Sequence, residues 1–78
     1  MKLEDAIQQM QSKILAISPA ATIKVARISA EEARLSVYAP AEEMQAIKEA
    51  TFQPALDFLN NEGLDVQVFV YDSASASA

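Results

Sequence analysis

Two pairs of adjacent acids, Glu31-Glu32 and Glu42-Glu43, are the first residues in this chain whose type and spacing suggest chemistry. Paired carboxylates can hold Mg²⁺ or Ca²⁺, but an all-oxygen site needs more ligands at defined spacing, and no calcium-loop pattern accompanies them. Both pairs read as solvated charge, one in a connection and one at a helix start. Histidine and cysteine do not occur in the chain. That removes thiol chemistry, disulfides, zinc sites built on Cys or His, and imidazole acid–base catalysis. The serines have no histidine to activate them. Gly63 is the only glycine, so there is no phosphate-cradling loop. These residue types predict a non-catalytic protein with no cofactor and no metal.

The remaining constellation is aromatic and basic. Tyr38, Phe69 and Tyr71, with Ala26 and Ile28, fall on strand positions that alternate with the apolar core positions. Lys24, Arg27 and Arg34 edge them. Rings gathered on a sheet face serve two purposes, protein association and base stacking with single-stranded nucleic acid. Whether they gather depends on the elements that carry them.

The elements are legible from their periods. Leu3, Ile7, Met10, Ile14 and Ile17 recur at steps of four and three, which predicts a helix of about four turns ended by Ser18-Pro19. Thr22–Ser29 is rich in β-branched residues. Its alternation fails where Arg27 falls on the side of Ile23 and Val25, so a bulge or a central strand covered on both faces is expected. The polar stretch Ser29–Ala33 contains no Asn-Gly or Asp-Gly, which favours a hairpin with a longer loop. Arg34–Ala39 alternates with Leu35, Val37 and Ala39 inward.

Ala39-Pro40 then opens a helix with Glu42 and Glu43 in its first turn, where negative charge suits the helix dipole. Met44, Ile47, Thr51, Phe52, Ala55, Leu56, Phe58 and Leu59 fall on one broad side of it. Pro54 inside a helix would cost roughly 3 kcal/mol, so a kink is expected, or a split into about 41–50 and 52–61 with Thr51 as N-cap. Asn60, Asn61 and Gly63 suit a left-handed helix end. Leu64–Tyr71 alternates strictly, with Leu64, Val66, Val68 and Val70 on one face and Phe69 and Tyr71 on the other.

The order is helix, strand, strand, broken helix, strand. It predicts an α+β two-layer sandwich, α-β-β-α(broken)-β, with helices on one face of a three-stranded sheet. The first two strands should pair antiparallel. A long right-handed crossover makes the last strand parallel to the second, which leaves the strand order open and allows the first strand to lie between them. A single domain covers 1–72, and the Ser/Ala tail 73–78 is expected to be disordered. The element order is similar to that of the bacterial-type KH domain. That family's GXXG loop would fall near Ala50–Pro54, where this chain reads Ala-Thr-Phe-Gln-Pro, so no membership is assigned.

Charge narrows the partners. The formal net charge is −5, and it is uneven. Residues 1–30 carry four basic and two acidic residues (+2), while 31–78 carry two basic and nine acidic ones (−7). An acidic surface repels nucleic acid and anionic membranes. No secretory leader and no bilayer-length apolar window is visible, so a cytoplasmic protein is expected. The functional expectation is a small domain that self-associates, as a dimer, or docks a protein partner through its uncovered sheet face. Tyr38, Phe69, Tyr71, Ile28 and Arg34 would form the interface. The alternative is single-stranded nucleic-acid binding through the same rings and the Lys24/Arg27/Arg34 strip.

Overall fold

The computed structural model describes residues 1–76. Helix α1 (Leu3–Ile17) is followed by strands β1 (Thr22–Arg27) and β2 (Glu32–Ala39), helix α2 (Ala41–Asp57), a π-helical turn (Phe58–Glu62), strand β3 (Asp65–Asp72) and a short helix α3 (Ser73–Ala76). This is the expected α+β order. The expected tail covers 73–78: Ser73–Ala76 makes one helical turn whose Ala74 N–H donates to Asp72 Oδ1 at 2.9 Å, and residues 77–78 lie outside the described residues.

The sheet order is β1-β2-β3, with β1 antiparallel and β3 parallel to β2. The parallel last strand is as expected, but β2 is the centre, not β1. A short hairpin seats β1 directly beside β2, which leaves β2's other side to the strand returning from α2. The β1–β2 register runs unbroken from Thr22↔Tyr38 to Arg27↔Ala33, so no bulge is present. The register turns Arg27 to the helix side, opposite Ala33, where its guanidinium pairs with the Glu4 carboxylate in the first turn of α1. A salt bridge, not a covered central strand, explains the broken alternation.

One row of the sheet makes the core. Ala33, Leu35, Val37 and Ala39 of β2 are fully buried, with Leu64 and Val66 beside them. Leu3, Ala6, Ile7, Met10 and Ile14 of α1, and Ile47 of α2, pack into the same cluster. Both helices therefore cover the same face. α1 stops at Ser18 before Pro19. The Ser18 N–H donates to the Ile14 carbonyl at 2.9 Å, and its fully buried hydroxyl donates to Glu43 Oε1 at 2.6 Å, tying the end of α1 to the start of α2.

The split expected as one outcome at Pro54 does not occur. α2 runs as one helix from Ala41 through Pro54 to Asp57, and the π-helical turn takes over at Phe58. Thr51 is not an N-cap. Its hydroxyl donates to the Ile47 carbonyl at 2.9 Å, as a residue inside a helix does. Ile47, Thr51 and Phe58 are buried along one stripe, and a split at Thr51 would have turned that stripe away from the sheet. Packing of that stripe outweighs the lost proline hydrogen bond. The π-helical turn ends at Gly63 in the left-handed region (φ 67°), where its N–H donates to the Leu59 carbonyl and the Leu64 N–H reaches back to Phe58. That conformation is the one the glycine was expected to supply.

Candidate interaction surface

With both helices on one side, the other side of the sheet is open. Strand alternation places Lys24 and Ala26 of β1, Arg34, Ser36 and Tyr38 of β2, and Gln67, Phe69 and Tyr71 of β3 on it. Register decides which of these meet. Tyr38 stands directly opposite Tyr71, and their rings stack with centroids 5.4 Å apart at 24°. Lys24 Nζ lies over the Tyr38 ring from the β1 side, 5.3 Å from its centroid. Arg34, two positions further along the same face of the central strand, lies over Phe69 at 5.5 Å. Cation–π contacts of this kind hold rings and cations in place before any partner arrives.

The exposure is substantial. Phe69 is 41% and Tyr71 45% accessible, large values for rings on a pleated sheet. At the lower end of the face the Gln67 amide donates to both Glu32 Oε2 and Asp65 Oδ2 at 3.1 Å. The face is therefore basic and aromatic in the middle, aromatic at one end and acidic at the other.

Of the residues expected to form the interface, Tyr38, Tyr71, Phe69 and Arg34 come together. Ile28 does not join them. It lies just past β1, exposed, with its N–H donating to the Glu32 carbonyl, at the acidic end opposite the tyrosines. Arg27 of the basic strip is on the other side, paired with Glu4. That contact lowers the Glu4 carboxyl below its usual value of 4.5, chiefly through the hydrogen bond from Arg27.

A second apolar surface was missed by periodicity. Phe52, Leu56 and Leu59 share the broad apolar side of α2, and the sequence places them inward. In the fold they are 68%, 40% and 48% accessible. They line a groove of about 330 Å³ between α2 and β3, with Val66 and Val68 on its floor. The breadth of the apolar side was the available signal: eight residues are more than one helix can turn toward a three-stranded sheet.

Among the described residues no group of three or more His, Cys, Asp or Glu is arranged to hold a metal ion, and no helix is long and apolar enough to cross a membrane. Fold and surface together define a small two-layer α+β domain with an ordered aromatic face. No protein-family model matches the sequence, no curated protein matches it, and no solved structure matches the fold.

Proposed function

We propose that this chain is a non-catalytic, cytoplasmic protein-interaction domain that docks a partner segment on its open sheet face. The segment would present an apolar side chain flanked by one or two carboxylates. The observation that supports this most is the row Lys24–Tyr38–Tyr71 with Arg34 over Phe69 beside it. Two cations held on rings suit one or two carboxylates, and pre-ordered side chains lose little freedom on binding.

The same row weighs against the other occupants. A second copy stacked face to face would bring Lys24 and Arg34 near their own counterparts in the middle of the contact. Single-stranded nucleic acid needs open ring faces and several phosphate contacts. Tyr38 has Lys24 on one side and Tyr71 on the other, and Arg27 is engaged by Glu4.

Tyr38 and Tyr71 are the only tyrosines and the chain has no tryptophan, so intrinsic tyrosine emission reports on this face alone. Titration with a short peptide of alternating glutamate and phenylalanine is expected to change that emission saturably, and its lysine counterpart is expected to leave it unchanged. Equal response to both peptides, or to neither, contradicts the proposal. A response to mixed-sequence oligonucleotides that falls steeply with salt would transfer the face to nucleic acid.

A further inference from the structure

The two edges of the sheet are built differently. β1 carries Lys24 and Arg27, and charges of this kind keep an edge strand from pairing with another chain. β3 runs Asp65–Asp72 with no lysine, arginine, proline or glycine. The Asp65 N–H donates to the Glu31 carbonyl at 2.8 Å across the β2 side. By alternation, residues 65, 67, 69 and 71 turn their backbone groups toward β2, and Val66, Val68 and Val70 turn theirs outward from the sheet. Beside this unprotected edge stand Phe52, Leu56 and Leu59, the exposed row of α2. A strand edge and an apolar helix row on the same side of the molecule ask for a partner that offers both. This chain does.

We propose that β3 pairs antiparallel with β3 of a second copy, forming one six-stranded sheet in which the two α2 helices close over Phe52, Leu56 and Leu59. The symmetry fixes the register to a short set. A two-fold axis perpendicular to the sheet keeps both helix layers on one side, and strand pairing that preserves faces must place the axis at a residue, not between two. Axes at Val68 and at Phe69 overlap Asp65–Asp72 with itself equally, over seven residues, but an axis at Phe69 would set Asp72 opposite Val66, so the axis at Val68 is preferred. It pairs Val66 with the second copy's Val70 on the core face and Asp65 with its Tyr71 on the open face. Asp65 and the other Asp72 are kept out of register, so like charges are not set opposite each other. Phe52 and Leu56, which line the groove with Val66 and Val68, fall close to this axis and would be buried at the centre of the contact.

The contact is small. An eight-residue strand is about 26 Å long and the shortest extent of the molecule is 15 Å, so a side carrying β3 offers on the order of 400 Å², about 800 Å² for the pair, the size of a weak association that forms at high micromolar concentration. The seam runs along the β3 side of the open face and leaves Tyr38, on the central strand, outside the pairing.

Light scattering on the full chain at high micromolar concentration is expected to give twice the 8.4 kDa chain mass. Leu56→Glu and Phe52→Glu replace exposed residues, so each is expected to keep its circular dichroism while returning the mass to that of one chain. Tyr38→Ala is expected to leave the dimer intact. Hydrogen exchange reads the strand pairing itself: the Val66, Val68 and Val70 amides should be protected in the wild type and exchange much faster in Leu56→Glu. A monomer at every concentration overturns the proposal. So does a dimer in which those three amides exchange freely, or one that Tyr38→Ala dissociates and Leu56→Glu does not.

Discussion

Lys24 and Arg34 bring positive charge to the open face of a chain whose net charge is −5, and both are held over rings. Arg27, three residues from Lys24, behaves differently because strand alternation turns it to the opposite side. There it meets Glu4 and depresses that carboxyl, first through their hydrogen bond and then through charge. A group whose pKa is lower folded than unfolded adds stability above its unfolded value and loses it as pH falls through the folded value. The Glu4–Arg27 contribution is therefore present at neutral pH and disappears at acid pH. Glu4→Gln is expected to lower stability slightly at pH 7 and to match the wild type near pH 2, in urea unfolding at low salt. Because both groups are exposed, the difference should shrink in high salt. A gap that persists at acid pH would mean the pair matters through packing instead of charge. The sequence could place Arg27 on the Ile23 side of β1, where the fold keeps it. It could not supply Glu4, which lies on α1 at a distance only the fold closes.

At the scale of elements, what each segment would become was readable, and how segments would compete was not. α1 and β3 follow from clean periods of about 3.6 and 2, and the fold keeps both nearly to the residue. Pro54 was read by its local cost, yet α2 stays continuous because Ile47, Thr51 and Phe58 must share one stripe against the sheet. If that is why the helix holds, the lost hydrogen bond to Ala50 is a standing penalty. Pro54→Ala should then raise stability by about 1–3 kcal/mol in urea unfolding, since it restores a donor in the helix interior. An unchanged midpoint would place the adjustment in the π-helical turn at Phe58–Glu62, with no penalty left to recover. The strand order is hidden for a related reason: β1's pattern suggests a bulge or cover on both faces, and neither is needed once Arg27 has Glu4 to pair with on the helix side.

The whole molecule has one well-covered face and two uncovered surfaces. Tyr38, Phe69, Tyr71 and Arg34 were legible as a face because alternation fixes which side of a strand each occupies. Their pairing needed the register, which no local pattern carries. Periodicity assigns Phe52, Leu56 and Leu59 to the core and the fold exposes them, since an apolar stripe shows that a side chain seeks cover and not which surface provides it. Pairing through β3 would set two open faces side by side in one broader sheet, so the edge and the face serve a single association domain. The most direct test of that role is an amide-shift map of the ¹⁵N-labelled chain titrated with the alternating glutamate–phenylalanine peptide, for wild type and Arg34→Glu. Shifts are expected to concentrate at Lys24, Arg34, Tyr38, Phe69 and Tyr71, with affinity falling at least tenfold in Arg34→Glu, about 1.4 kcal/mol. Shifts confined to α1 and α2, or an Arg34→Glu chain that binds as well as the wild type, would contradict it.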